Sequence, residues 1–230
     1  MIHAVLLAAA LGQTPAAEVD GLAKSVQAEL LRATVRIANT QKKVVGSGIL
    51  LGKSGPAAYI LTAAHVVDGA DAVEVHVFSA DDVSKPRVWP MATVVARRRE
   101  GNQDLALLRI AEYGGDVKTL SLCPTADLPK DKALAAFAVG CPDSKPPLVR
   151  AEKILAVQAA KRGEPGTVKM WQSKQKPTGG ESGGPLVNAR GQLLGICSGA
   201  QGDHGYYCHL EDIHSFLRSS GLAWVLERKR

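Results

Sequence analysis

The chain has 230 residues, of which 46% are hydrophobic, 22% charged and 4% aromatic. This composition is globular and excludes a wholly disordered chain. The net charge of +6 at pH 7 permits a nucleic-acid partner but does not require one, and we predict none. The 23 Gly and 12 Pro favour a turn-rich fold, which at this length is one large all-β domain or two smaller halves.

The first seventeen residues resemble an export signal. Residues 2–11 form an apolar stretch, and the small residues Ala16 and Ala17 follow it as a cleavage site. The leader lacks the Lys or Arg that usually precedes such a stretch, so the alternative is a frayed or lightly packed N-terminal segment. We expect a secreted or periplasmic protein. No apolar run reaches the roughly 20 residues that a membrane-spanning helix needs.

Short elements separated by turn residues follow along the chain. Helical spacing of apolar residues predicts a helix over 19–33, which leads into a strand at 34–37. Helical patterns return at 214–218 and 222–226, with Gly221 between them. The number and spacing of the short predicted strands are typical of an antiparallel barrel or sandwich. The further predicted strands are 44–51, 59–62, 73–78, 105–110, 134–139, 153–158, 167–171, 185–187, 193–197 and 206–209.

Three segments carry residues suited to chemistry. His65 follows a predicted strand, Asp104 opens another, and Ser182 lies within the glycine cluster 179–184. Taken alone, each has an ordinary interpretation as a loop, cap or turn residue. The glycine cluster lacks the Lys-Ser/Thr ending of a phosphate loop. It also differs from the nucleophile elbow of α/β hydrolases, because a strand and not a helix follows it.

Together the three residues supply the parts of one mechanism. A serine hydroxyl such as that of Ser182 needs a base to become a nucleophile, and the His65 imidazole titrates near neutrality. A carboxylate such as Asp104 fixes the imidazole tautomer and stabilises the imidazolium. Glycines beside the serine let backbone N–H groups face the developing negative charge. The order His, Asp, Ser is that of chymotrypsin.

The segments Thr62–His65 and Gly180–Pro185 resemble the two signature motifs of the trypsin-like (chymotrypsin-fold) serine peptidases, and the similarity covers about residues 35–217. The resemblance implies an all-β fold of two antiparallel six-stranded β-barrels, with a short N-terminal helix and a C-terminal helix. The expected boundaries are a first barrel at about 33–112, a linker at about 113–132, a second barrel at about 133–212 and a C-terminal helix at about 213–228.

The same resemblance assigns the site. It implies that His65 and Asp104 lie on the first barrel and Ser182 on the second, with the oxyanion hole formed by the N–H groups of Gly180 and Ser182. It implies hydrolysis of peptide bonds in proteins or peptides through an acyl-enzyme, with no cofactor or metal. The alternative function is a catalytically silent domain of this fold that binds extended peptides. The sequence does not specify an oligomeric state.

Two features are similar to the bacterial HtrA-type branch of this family. These are the Gly46–Gly48 motif ahead of the strand that ends at His65, and the helix-then-strand entry over 19–37. Since the chain ends soon after the predicted C-terminal helix, we expect a peptidase domain without the PDZ domain that many HtrA proteins carry.

Glu181, immediately before the nucleophile, departs from the family pattern. Digestive-type members have Asp there, paired with an N-terminal ammonium that cleavage releases, and HtrA-type members commonly have Asn. The chain has no Ile-Val-Gly-Gly start, so we do not expect activation by such a cleavage. Lys174 and Lys176 are the cations nearest to Glu181 in sequence, but its partner is left open.

The substrate-binding residues follow from the resemblance alone. It implies that Ser198, Gly199 and Ala200 pair with the substrate backbone and that Gly205 lines the primary pocket. Lys176 falls near the floor of that pocket, where it favours an acidic or polar side chain. The alternative is that Lys176 points to solvent on a loop of different length.

The four cysteines, at positions 123, 141, 197 and 208, allow three full disulfide pairings. The resemblance brings Cys197 and Cys208 side by side, so a bridge between them and burial as free thiols are both open. His204, Cys208 and His209 lack the paired spacing of a metal site, and we predict none.

Overall fold

The computed structural model describes five stretches of the chain, and the export signal predicted for residues 1–17 lies outside them. The described residues are 18–79, 85–99, 103–128, 134–160 and 168–227. Within these stretches, no helix is both long enough and apolar enough to span a membrane.

The first half of the chain folds into a closed antiparallel barrel, with strand order β1-β2-β3-β6-β5-β4. Its interior is apolar and includes the fully buried Ile37, Leu50, Ile60 and Leu108. The strands are β1 (Thr34–Asn39), β2 (Val44–Ser54), β3 (Ala57–Thr62), β4 (Ala72–Val77), β5 (Arg87–Arg98) and β6 (Leu105–Ile110).

The second half repeats this architecture, with strand order β10-β11-β12-β9-β8-β7. Its core centres on the buried Trp171, Leu186 and Ile196. Two closed six-stranded barrels confirm the all-β prediction. The strands are β7 (Leu134–Gly140), β8 (Leu148–Ala160), β9 (Val168–Ser173), β10 (Pro185–Val187), β11 (Leu193–Gln201) and β12 (His204–His209).

One strand, β5, is absent from the sequence prediction. It pairs with both β4 and β6 and closes the first barrel. Pro90 interrupts its pattern, and much of one face is open to solvent, with Met91 71% exposed. Pro90 falls inside an otherwise largely apolar run at 88–96, and a proline there argues against a strand, which is why the prediction omits β5.

A helix packs at each end of the described chain. Helix α1 (Lys24–Ala33) begins five residues later than predicted, after a turn in which Gly21 has φ +82°. Helix α2 (Leu210–Ser219) follows β12 directly and ends before Gly221, which has φ +76°. Both helices bury apolar residues against the second barrel, Leu30 from α1 and Ile213 from α2.

The cysteines are all buried free thiols, so the Cys197–Cys208 bridge is not formed. Burial in an apolar surrounding raises the pKa of Cys208 to about 12 and that of Cys141 to about 12. The four cysteines are therefore buried free thiols of the core, which is the second of the two alternatives left open by the sequence.

Candidate active site

His65 lies in a 3₁₀ turn, Ala64–Val67, that directly follows β3. The buried side chains of Ala64, Val66 and Val67 anchor this turn in the first barrel, while the His65 side chain stays 28% exposed. The local sequence therefore fixes the backbone in the core and leaves the imidazole facing outward.

Asp104 precedes β6 and binds His65 in two ways. Its Oδ1 accepts a hydrogen bond from the His65 backbone N–H at 2.9 Å, and its Oδ2 lies 2.6 Å from His65 Nδ1. The backbone bond orients the carboxylate, so that Oδ2 faces the imidazole edge. An imidazole held at Nδ1 presents Nε2 to the opposite side, which is the arrangement of a general base.

The Asp104 carboxylate has a third partner, the hydroxyl of Ser198, which donates to Oδ2 at 2.7 Å. Burial alone would raise the pKa of Asp104. The hydrogen bond and charge of His65, together with the Ser198 hydroxyl, outweigh burial and hold the pKa of Asp104 below its ordinary value. The carboxylate is therefore ionised at neutral pH.

Ser182 lies in the second of two consecutive tight turns. The first runs from Thr178 to Glu181, closed by the Glu181 N–H at 3.1 Å from the Thr178 carbonyl, with Gly180 at φ +94°. The second places Gly183 at φ +84°. Such φ values suit glycine at the third position of a type II turn. Within the described residues, the N–H groups of Gly180 and Ser182 donate to no backbone carbonyl, so both are available to an oxyanion.

Ser47, on β2, ties these turns to the first barrel. Its hydroxyl donates to the Gly180 carbonyl at 2.7 Å and accepts the Cys141 N–H at 2.8 Å. Its own N–H donates to the Ser182 carbonyl at 2.7 Å. Ser47 is fully buried. The sequence shows it only as the middle residue of the Gly46–Gly48 motif, although a serine between two glycines in an apolar strand is a signal for such a polar contact.

A cleft of about 390 Å³ brings the predicted residues of both barrels together. Sequence reasoning missed one residue there, Arg99, whose Nη1 lies 2.6 Å from Asp68 Oδ2. A cation just before the Asp104 strand is its only sequence signal. The cleft is lined by His65, Arg99, Asp104, Ser182, Ser198 and Gly199.

The remaining predicted substrate residues lie outside the lining of this cleft. Ala200 follows Gly199 in β11, and it pairs with Gly205 of the neighbouring strand β12. A side chain at Gly205 would collide with Ser173 and the Gln175 carbonyl, so glycine there permits close backbone packing. Lys176 is exposed, as in the alternative that places it on a solvent-facing loop.

Glu181 is buried, and the cation that binds it is Arg150 of β8. Arg150 Nε donates to Glu181 Oε1 at 3.2 Å, and the Thr178 N–H donates to Oε2 at 2.6 Å. The sequence neighbours Lys174 and Lys176 are thus not the partner. Arg150 is 31 positions away, and only the folded second barrel brings it to Glu181.

A second concavity, of about 430 Å³, lies on the first barrel and includes none of the predicted site residues. Arg87 lies over the Trp89 ring at 4.3 Å, and Trp89 stacks on Tyr113 at 4.8 Å. His65, Asp104 and Ser182 line the smaller cleft and not this one. Among the described residues, no group of three or more His, Cys, Asp or Glu could hold a metal ion.

Comparison with known proteins agrees with the fold. The trypsin-like peptidase domain family matches residues 46–196, which is more than half of the chain. The chain therefore belongs to the trypsin-like peptidase domain family.

Its relatives include HtrA-type proteases. The serine protease Do-like HtrA of Lactobacillus helveticus is 33% identical over 162 residues, covering 66% of this chain and 35% of that protein. The protein of the same name from Lactococcus lactis is 30% identical over 159 residues, covering 66% and 36%. The chain thus spans about a third of the length of these relatives.

Solved structures share the fold. The active form of the Rv3671c protease from M. tuberculosis has a TM-score of 0.66 at 24% identity, covering 95% of both chains. The HtrA-type protease AlgW with tripeptide has a TM-score of 0.65 at 23% identity, covering 84% of this chain and 62% of that one. At these identities the likeness concerns the fold alone.

Proposed function

We propose that this protein is a serine endopeptidase that hydrolyses peptide bonds in proteins through Ser182, His65 and Asp104. One observation carries the proposal: Asp104 holds His65 through both the backbone N–H and Nδ1, in a cleft that Ser182 also lines. Membership of the peptidase family supports the same chemistry.

In this mechanism His65 Nε2 takes the proton of the Ser182 hydroxyl as its oxygen attacks the substrate carbonyl carbon. The negative charge that forms on the carbonyl oxygen is stabilised by the N–H groups of Gly180 and Ser182. The imidazolium then protonates the departing amine, which leaves an acyl group on Ser182. A water molecule, deprotonated by His65, hydrolyses this ester and restores the hydroxyl. Asp104 stabilises the imidazolium at each step.

An extended peptide would bind along β11. Residues 199–201 pair with β12 on one side, while β10 pairs with β11 only through residues 193–196. Among the described strands, the other edge of residues 198–200 therefore has no strand partner. An unpaired edge beside the nucleophile suits β-strand addition, in which the substrate backbone supplies the missing hydrogen bonds.

We also propose that the apolar stretch at residues 2–11 directs export, with cleavage after Ala16 or Ala17. The small residues that follow the stretch support this proposal. N-terminal sequencing of the protein isolated from its natural source tests it. A native chain that still begins at Met1 would contradict it.

Steady-state hydrolysis of an unstructured, fluorescently labelled protein tests the proposed activity. Ser182→Ala and His65→Ala should each lower kcat by ~10⁴-fold or more, as loss of a triad residue does. Ser54→Ala, at the exposed end of β2, is the matched control and should leave kcat unchanged. A loss of less than tenfold in either active-site variant would defeat the assignment. Peptide binding without turnover would favour the silent peptide-binding domain.

A further inference from the structure

The Glu181 side chain is a buried carboxylate with few partners. Only 5% of it is exposed, and it sits in the chain directly before Ser182. Its Oε2 accepts the Thr178 N–H at 2.6 Å, and its Oε1 accepts Arg150 Nε at 3.2 Å. Burying a carboxylate costs free energy unless it is paired. The Glu181 side chain therefore depends on Arg150 to remain buried.

Arg150 is itself held from the opposite side. Its Nη1 donates to Glu152 Oε2 at 2.5 Å, and its Nη2 donates to the Tyr207 hydroxyl at 3.3 Å. Glu152 is anchored in turn, since its Oε1 accepts the N–H groups of Lys153 at 2.8 Å and Gln175 at 3.2 Å. Burial would lower the pKa of Arg150, but Tyr207, Glu181 and Glu152 raise it above its ordinary value. The guanidinium is thus a largely buried cation held by hydrogen bonds to residues of the second barrel.

The Glu181 carboxylate closes the turn from Thr178 to Glu181 through its side chain, and the Glu181 N–H closes the same turn through the backbone. The position of Gly180 within this turn sets the direction of its N–H group. If Arg150 lost its charge, Glu181 would be an unpaired buried anion. It would then turn toward solvent, and in turning it would release the Thr178 N–H.

We infer that Arg150 is a positioning residue, which holds the turn at residues 178–181 in the form that binds an oxyanion. The expected effect on catalysis rests on the proposed function, whereas the expected effect on the turn at residues 178–181 rests on geometry alone. The cation comes from β8 of the same barrel, so the folded second barrel itself supplies a partner for Glu181.

The experiment compares Arg150→Ala and Arg150→Lys with Lys153→Ala, which removes one cation from an exposed position on the same strand. In Arg150→Ala we expect kcat to fall ~100-fold or more with KM nearly unchanged, as when an oxyanion donor is lost. Added guanidinium chloride, at concentrations below unfolding, should restore part of this activity. Arg150→Lys should be intermediate because Lys lacks the planar fork, and Lys153→Ala should match wild type.

A second readout does not depend on activity. Amide hydrogen exchange, followed by mass spectrometry of peptides that span residues 178–182, reports whether the turn persists. We expect lost protection there in Arg150→Ala and wild-type protection in Lys153→Ala. If Arg150→Ala does not fold, Arg150→Lys provides the comparison, because it keeps the charge without the planar fork. Protection at 178–182 should then be partly lost, and full wild-type protection would overturn the role of Arg150.

The outcomes separate the two proposals. Protection and kcat within twofold of wild type in a folded Arg150→Ala would overturn the role of Arg150 and leave the peptidase proposal standing. A wild-type protein without hydrolytic activity, in which Arg150→Ala still loses protection at 178–182, would overturn the peptidase proposal and support the positioning role.

Discussion

Ser198 Oγ donates a 2.7 Å hydrogen bond to Asp104 Oδ2, the same oxygen that lies 2.6 Å from His65 Nδ1. Ser198 belongs to β11 of the second barrel and Asp104 precedes β6 of the first. The contact therefore joins the two barrels at the centre of the cleft, and it gives Ser198 a role beyond the substrate pairing expected from sequence.

Replacing Ser198 by Ala should lower kcat/KM about tenfold, a cost of ~1.4 kcal/mol in transition-state stabilisation. Asp104 would lose one hydrogen bond to its ionised form but keep both bonds to His65. Ser198→Thr retains a hydroxyl and should recover most of the rate. Hydrolysis of a fluorogenic peptide measures both variants, and equal rates for Ser198→Ala and wild type would show that the bond has no catalytic effect.

Ser47→Ala should destabilise the protein by about 2 kcal/mol or more, because it leaves the buried Cys141 N–H and the half-buried Gly180 carbonyl without their partner. Urea unfolding at neutral pH measures the free energy of unfolding. Ser54→Ala, at the exposed end of the same strand, is the control and should change it by less than about 0.5 kcal/mol. Equal stability of the two variants would contradict the role of Ser47.

Gly183→Ala should cost more stability than Gly202→Ala, although both glycines have positive φ, +84° and +60°. A Cβ at Gly202 meets open space, whereas one at Gly183 overlaps the Ser47 carbonyl and the Thr62 hydroxyl oxygen. Gly202→Ala adds only backbone strain of about 1–2 kcal/mol, whereas Gly183→Ala adds overpacking of about 1–3 kcal/mol to that strain. Thermal unfolding of the two variants tests this order. A lower melting temperature for Gly202→Ala than for Gly183→Ala would contradict it.

Stability should fall as the pH drops from about 6.5 toward about 4, in part through His209. Burial against Trp171, at a ring distance of 4.4 Å, lowers the pKa of His209 from its ordinary 6.5 to about 4. Over this range the unfolded chain binds a proton that the folded chain does not, so acid favours unfolding. His209→Asn keeps an acceptor for the N–H of Glu211 but cannot titrate.

Urea midpoints measured between pH 7 and pH 4.5 test this linkage. The midpoint of His209→Asn should decline less steeply than that of wild type. Parallel declines would show that His209 does not contribute to the acid sensitivity of the fold.

Local patterns in the sequence were sufficient to predict most of the barrels. The segment Leu105–Ile110 is β6 with the predicted bounds, because every residue except Arg109 is apolar and buried and a nearly continuous apolar run predicts a buried strand. β5 escaped prediction because Pro90 interrupts it and its apolar Val88, Met91 and Val95 are exposed, so no alternation of apolar and polar residues marks it. Its pairing with both β4 and β6 makes it a strand.

Contacts between distant segments could not be predicted from the sequence. The pairing of Arg150 with Glu181 depends on the register of β7 and β8, in which Arg150 lies opposite Ala138. The cations nearest to Glu181 in sequence, Lys174 and Lys176, are both exposed. The bond from Ser198 to Asp104 likewise crosses between barrels. Spacing along the chain carries no information on either contact.

The most direct test of the central claim is the site of covalent reaction with a fluorophosphonate, followed by mass spectrometry of the modified peptides. Our account predicts one phosphonyl group per chain, attached to Ser182, with no labelling of Ser182→Ala or of unfolded wild type. It also predicts that His65→Ala reacts at least about 100-fold more slowly, because the hydroxyl loses its base. A well-folded wild type that is not modified, or one modified at another residue, would contradict the account.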